Sequence, residues 1–177
     1  MMISRLPADH PLHKLFAGLV EQVFETELGF CSPAMTNYLT EMLVEFTHID
    51  QVFRLHSVDG ATIREVSRME AEAHLGVDLS GTQRRCLLNR YIGDYTLFWT
   101  GVYPEWLRPR HAAGASRFEE YLLQGRRSYG IASELASNGD RPPASLLRDL
   151  SEHFEFCVHG LRIVRSNWES LPNSGRN

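Results

Sequence analysis

The chain has 177 residues, of which 43% are hydrophobic and 23% charged, so it suits one globular domain with a substantial core. Its formal net charge of −4 excludes the broad basic surface that non-specific binding to nucleic acid requires. The longest nearly apolar run is about a dozen residues, whereas a transmembrane helix needs about 20, so a membrane is not expected as a partner either.

Cysteine usage and the N-terminal sequence predict a cytoplasmic protein. The three cysteines, Cys31, Cys86 and Cys157, are widely spaced and form no C-x-x-C pair. An odd number without a disulfide framework favours free thiols in a reducing compartment, each acting as a small buried hydrophobic side chain. The segment Met1–His10 has no apolar stretch of the kind found in secretory signals.

Two helices are predicted in the first third of the chain. Asp9 is a good N-cap residue, and Pro11 suits the first turn, where its missing N–H is not needed. Apolar residues then recur at helical spacing until Gly29. Ser32-Pro33 is a second start signal, and its apolar stripe predicts a helix that ends within 46–53.

The middle of the chain predicts a short amphipathic helix over 63–76 and then a long central helix. Ser80 is the expected N-cap of the central helix, which runs through Val102 and ends before Pro104. The segment 105–115 contains proline and glycine and is expected to be irregular. The central helix, about 80–102, is apolar on nearly every side and should therefore be buried.

Two further helices complete the predicted fold. Ser116 begins one that runs to Leu135, and Pro142-Pro143 leads into the last, which spans Leu146–Trp168 as one stripe. The tail, 171–177, is expected to fray. No repeat or linker divides the chain, so the prediction is a single all-α helical bundle of about six helices over residues 1–170.

The central helix carries a carboxylate on a face that should be buried. Tyr91, Asp94 and Phe98 lie on one helical stripe. A buried charge is costly unless it is paired, and Arg90 lies one turn before Asp94. A partner on another helix is equally plausible, and the candidates are Tyr121, Arg126, Arg127, Tyr129 or a histidine. An arginine partner would lower the pKa of Asp94, whereas aromatic surroundings alone would raise it.

Two interpretations of Asp94 remain open at this stage. The carboxylate could fix the register of packed helices, or it could form the polar floor of a ligand pocket. The candidate pocket residues are Asp94, Arg90, Tyr91, Phe98 and Tyr129. A neighbouring row, Gly93, Leu97 and Gly101, has two glycines that weaken an isolated helix, so another helix or a ligand is expected close to this backbone.

Three segments of the chain carry a resemblance. They are Gly93-Asp94-x-x-Leu97-Phe98-x-x-Gly101, Tyr121-x-x-x-Gly125-x-x-Ser128-Tyr129, and Tyr38-Leu39 with Leu43. This pattern resembles a family of uncharacterised bacterial all-helical proteins with the motif G-D-x-x-L-F-x-x-G. The resemblance implies a shared helical architecture, and no activity, substrate or cofactor is attached to it.

A metal site is the alternative chemistry. Carboxylate-bridged di-metal sites in helical bundles use two Glu-x-x-His motifs and two further glutamates. This chain has one such motif, Glu45 with His48, and the pair Glu155 and His159 shares a helix face at i, i+4. These four residues are the candidate metal ligands, with Asp94 as a further one.

The leading functional hypothesis is a soluble, cytoplasmic and non-enzymatic binding or regulatory protein without a cofactor. It would recognise a protein partner or a small apolar ligand through the aromatic region Tyr91–Trp106, since tyrosine and tryptophan are enriched in binding hot spots. The same aromatic residues leave a homodimer as open as a monomer. The competing hypothesis is an oxidative helical-bundle metalloenzyme.

Overall fold

The structure is a computed structural model that describes residues 7–53, 80–107 and 117–172, with the backbone alone over 48–53. All regular structure in these ranges is helical, which confirms the predicted all-α bundle. The α-helices are α1 (Pro11–Glu21), α2 (Pro33–Phe53), α3 (Gly81–Val102), α4 (Arg117–Leu135), α5 (Ala144–Glu152) and α6 (Phe154–Glu169). The helix predicted over 63–76 and most of the tail lie outside the described residues.

The start of α1 differs from the prediction. The N-cap is His10, not Asp9, and its ring Nδ1 accepts a hydrogen bond from the backbone N–H of Leu12 at 3.2 Å. A turn places the His10 N–H 2.9 Å from the carbonyl of Pro7, so the chain enters the helix one residue later than expected. The helix continues as a π-helical turn over Gln22–Glu27.

Gly29 and Ser32-Pro33 separate the first two helices as predicted. Gly29 has φ +65°, a left-handed backbone conformation that glycine adopts without steric cost. Pro33 is the first residue of α2, where it removes no helical hydrogen bond. Cys31 is exposed in this connection, so its predicted burial is wrong, whereas Cys86 and Cys157 are buried as expected.

Helix α3 is the central helix that the sequence predicted. Ser80 caps its start in a reciprocal capping box with Gln83. Helices α2, α4 and α6 pack around its buried second half. A Cβ atom added to Gly93 would lie 2.7 Å from ring atoms of Tyr129, and one added to Gly101 would lie 2.7 Å from Leu161 Cβ. The expected close approach at this glycine row is confirmed, with a different partner helix at each glycine.

The last predicted helix is two helices. The backbone leaves helical geometry at His153, with φ −104° and ψ 23°, so α5 ends at Glu152 and α6 begins at Phe154. Phe154 is fully buried there and contacts Gly125 of α4 so closely that a Cβ on Gly125 would lie 2.2 Å from its ring. No glycine or proline lies at the break. It coincides instead with the packing of the Phe154 ring against α4. Among the described residues, no helix is long and apolar enough to cross a membrane.

Candidate functional site

The Asp94 carboxylate is held by two tyrosine hydroxyls from two other helices. Tyr38 of α2 donates a hydrogen bond to Asp94 Oδ1 at 2.5 Å, and Tyr129 of α4 donates to the same oxygen at 2.6 Å. Asp94 is 7% exposed and Tyr129 is fully buried. Short O–H···O bonds to a charged acceptor are among the strong hydrogen bonds of proteins. Helices α2, α3 and α4 are therefore joined at one carboxylate oxygen.

Burial governs the protonation of this group. Burial raises the pKa of Asp94 to about 6, although Arg90 and the hydrogen bonds from Tyr129 and Tyr38 lower it. Burial, with the nearby Asp94 carboxylate, also holds the pKa of Tyr38 and Tyr129 well above the usual range of a phenol. At neutral pH the carboxyl is therefore mostly ionised while both phenols keep their protons, so both can donate to it.

Arg90 forms an ion pair with Asp94 but no hydrogen bond to it. Its Nε lies 3.7 Å from Asp94 Oδ2, which is within ion-pair distance but too long for a hydrogen bond. This Nε is buried and has no acceptor among the described residues, so the contact is electrostatic and leaves the donor unused. The other end of the guanidinium, Nη1, lies 3.5 Å from the carbonyl oxygen of Arg141. Tyr38, Arg90, Asp94 and Tyr129 are called the Asp94 cluster below.

A cavity of about 400 Å³ lies against the Asp94 cluster. Its polar wall comes from one face of α2 with Asn37, Glu41 and Glu45, and its floor includes Tyr38, Arg90 and Asp94. Met42 of α2 adds an apolar side chain, and Arg141 and Leu146 line the cavity from the segment 141–146. A smaller cavity of about 160 Å³ shares Arg90, Arg141 and Pro142. The cavity therefore combines charges of both signs with an apolar surface.

The structure brings together some of the predicted pocket residues and separates others. Asp94 and Arg90 line the cavity, and Tyr129 lies behind Asp94 as its buried hydrogen-bond donor. Tyr91 and Phe98 pack instead on Phe46, with ring centroids 5.7 Å and 5.1 Å away, and do not line this cavity. Both contact α2 through Phe46, which follows Glu45 in the chain and does not line the cavity.

Sequence reasoning missed Tyr38 as a partner of Asp94. Tyr38 belongs to the apolar stripe of α2, and a tyrosine there reads as an ordinary core residue. The available signal was a hydroxyl on a stripe of apolar side chains, since a buried tyrosine hydroxyl needs a partner. Of the other suggested partners, Arg126 is exposed and lies 3.5 Å from Glu155, so it pairs away from Asp94.

The candidate metal ligands are spread over the bundle. Glu45 lines the cavity, whereas Glu155 and His159 are exposed on α6 and Glu155 pairs with Arg126. The side chain of His48 lies outside the described part of the chain. In that part, no three side chains of histidine, cysteine, aspartate or glutamate are arranged to hold a metal ion.

The aromatic region forms a continuous set of ring contacts, called the aromatic cluster below. Its members are Phe46, Tyr95, Phe98, Trp99, Tyr103 and Trp106. Phe98 is 2% exposed at its inner end, and Trp106 is 50% exposed at its outer end. Most of the aromatic side chains that suggested a binding surface thus contact one another.

The chain matches no model of a known protein family, no curated protein and no solved structure. Membership of the bacterial helical family that its motifs resemble therefore stays a prediction. The three segments that carry the resemblance do meet in space, because Tyr38, Asp94 and Tyr129 come one from each of them and share Asp94 Oδ1.

Proposed function

We propose that this protein is a cytoplasmic, non-enzymatic binding protein that takes a small molecule in the cavity beside the Asp94 cluster. The observation that carries the proposal is a buried carboxylate at the floor of a cavity of about 400 Å³. Ligand sites are typically concave, partly apolar and equipped with a few placed polar groups. A strongly perturbed carboxyl pKa in such a cleft is a further mark of a functional site.

The state of Asp94 supports a binding role over a purely structural one. Two hydroxyls fill Oδ1, whereas Oδ2 faces Arg90 at a distance too long for a hydrogen bond. A pair that served helix register alone would gain by closing this gap, since a buried donor without an acceptor costs about 1–3 kcal/mol. The open pair leaves Asp94 Oδ2, on a residue that lines the cavity, without a hydrogen-bond donor from the described residues, and a ligand could supply one.

The cavity also indicates a different kind of ligand from the one that the sequence predicted. The sequence prediction placed a protein partner or an apolar ligand on Tyr91–Trp106. The cavity offers Met42 and Leu146 as apolar contacts, but its floor and one wall are charged. We expect a ligand with both polar and apolar parts, and a molecule without polar groups would leave this floor desolvated.

Blocking the cavity tests this proposal. Asn37 is exposed on α2 and lines the cavity, so Asn37→Trp should fill it while leaving the helix intact. A small-molecule library is screened by thermal shift, and bound compounds are confirmed by calorimetry. A compound at about 100 times its Kd stabilises its receptor by about 2.7 kcal/mol. We expect compounds that stabilise the wild type and lose their effect in Asn37→Trp.

The matched control is Ser166→Trp, which places the same side chain on an exposed position of α6 away from the cavity. It should bind every compound as the wild type does. A library in which no compound binds, or in which all binders retain their affinity for Asn37→Trp, would overturn the proposed function.

A further inference from the structure

We infer that the ligand of this cavity is a small zwitterion of the amino-acid type, with an ammonium group and a carboxylate at its two ends. The inference rests on the proposed function, since it names the chemistry of the same site. It follows from the way in which charges of opposite sign are arranged along the cavity.

The anionic end of the ligand is assigned to Arg90 and Arg141. The 3.5 Å contact between Arg90 Nη1 and the Arg141 carbonyl oxygen places the Arg90 guanidinium against the backbone of Arg141, and both residues line the cavity. The guanidinium of Arg141 makes no ion pair within the described ranges, and Arg90, although beside Asp94, makes no hydrogen bond to it. Guanidinium groups suit a carboxylate, because their planar N–H groups match its two oxygens.

The cationic end is assigned to α2. Asn37, Glu41 and Glu45 follow at four-residue intervals and so lie on one helix face, all lining the cavity. Neither glutamate forms an ion pair with another described residue. Glu45 raises the pKa of both Arg90 and Asp94 and therefore lies towards the Asp94 cluster, whereas Glu41, one turn away on α2, has no such influence on either group. Glu41 is therefore the carboxylate assigned to the ammonium group. Carboxylates and a side-chain amide oxygen are suitable acceptors for an ammonium group.

Simpler ligands fit these charges less well. An anion alone would bring its charge next to Glu41 and Glu45, and a cation alone would meet Arg90 and Arg141. A zwitterion lying along α2 pairs both ends. Its middle would contact the apolar side chains of Met42 and Leu146, and its length is limited by a cavity of about 400 Å³.

The buried carboxylate distinguishes this site from an ordinary acidic helix face. Asp94 is more than nine-tenths buried, lines the cavity and has an Oδ2 without a hydrogen bond from any described residue. A ligand that enters the cavity therefore meets a fixed internal charge as well as surface glutamates.

A set of matched probes tests the inference. Glycine, β-alanine and γ-aminobutyrate vary the distance between ammonium and carboxylate, and butyrate and butylamine each keep one charge of γ-aminobutyrate. Calorimetry at neutral pH should give a measurable Kd for at least one amino acid. Its affinity should exceed that of either singly charged analogue by about tenfold or more, since each lost charged contact is worth about 1.4 kcal/mol.

Two neutralising variants identify the ends. Glu41→Gln should weaken the binding of the amino acid by about tenfold without weakening that of butyrate, whose repulsion by Glu41 it removes, whereas Arg141→Gln should weaken both. Glu134→Gln and Arg148→Gln are the controls, because both residues are exposed on other helices and do not line the cavity. Both controls should bind like the wild type.

The outcomes separate the inference from the proposed function. Butyrate or butylamine binding as tightly as γ-aminobutyrate would overturn the zwitterion, as would variants of Glu41 and Arg141 that bind normally. If library compounds bind in a manner that Asn37→Trp blocks but no amino acid binds, the inference fails and the proposed function stands. If no compound of either kind binds, both fail.

Discussion

The aromatic cluster and the Asp94 cluster occupy neighbouring faces of the same helix and use their side chains in opposite ways. In the aromatic cluster, Phe98 stacks on Phe46 with ring centroids 5.1 Å apart and contacts Trp99 edge-on at 5.7 Å, so the aromatic rings pack against one another. In the Asp94 cluster, Arg90 Nε and Asp94 Oδ2 stay 3.7 Å apart beside a cavity. In this chain, the run of aromatic residues forms part of the core, whereas the single carboxylate in an apolar helix marks the candidate site.

The largest expected effect is loss of stability in the aromatic cluster. Phe98→Ala should lower the free energy of unfolding by about 4 kcal/mol, because it removes a buried ring and leaves a cavity. Urea denaturation measures this change, and Phe98→Leu, which keeps most of the volume, should lose about 1 kcal/mol. Where Phe98→Ala remains folded, its affinity for γ-aminobutyrate should equal that of the wild type. A folded Phe98→Ala protein that no longer binds γ-aminobutyrate would assign recognition to the aromatic cluster instead.

The next effect is the pH dependence of stability that Asp94 causes. Its pKa is about 6 in the folded protein and about 3.9 in an unfolded chain, so the folded state binds the proton more tightly. The stabilisation from this proton is complete below about pH 4 and is lost as the pH rises through about 6. A difference of about two pKa units corresponds to about 3 kcal/mol.

Asp94→Asn isolates this contribution. The free energy of unfolding of Asp94→Asn, minus that of the wild type, should rise by about 3 kcal/mol between acidic and neutral pH, because the amide does not titrate. Urea denaturation across this range provides the measurement. Asp149→Asn, at an exposed position of α5, is the control and should follow the wild-type curve. Parallel curves for Asp94→Asn and the wild type would mean that Asp94 has an ordinary pKa.

The smallest effect concerns one hydroxyl of the Asp94 cluster. Tyr38→Phe removes the hydrogen bond to Asp94 Oδ1 and leaves that from Tyr129, so stability at neutral pH should fall by about 1.5 kcal/mol. Since both hydrogen bonds lower the pKa of Asp94, its titration should also move upward. Carbon-13 NMR of the aspartate carboxyl measures the shift. An unchanged titration in Tyr38→Phe would show that this hydroxyl does not hold the charge.

Local signals in the sequence accounted for the helices, and tertiary packing accounted for what they missed. Ser80 and Pro33 marked helix starts because capping and the missing proline N–H are local effects. The break at His153 has no such local signal. It coincides with the packing of the buried Phe154 ring against Gly125, which is a tertiary contact. His10 replaced Asp9 as the cap because a preceding turn shifted the helix start by one residue.

The site was only partly predictable for the same reason. Asp94 could be found because a carboxylate within an apolar helix demands a partner, and Tyr129 was one of the partners considered. Tyr38 could not be selected from its spacing, because it lies on the apolar stripe of α2 and only tertiary packing brings its hydroxyl to Asp94. The cavity depends on how α2 lies against residues 141–146, which helical periodicity does not determine.

The most direct test of the account is an NMR map of where an amino acid binds. Backbone amide shifts are recorded while γ-aminobutyrate, or the tighter of the shorter amino acids, is added at neutral pH. We predict saturable shifts within 37–45, 90–94 and 141–146, which surround the cavity, and none of comparable size in Asn37→Trp. Shifts centred on the aromatic cluster, or no saturable shifts with any of the three amino acids, would contradict the account.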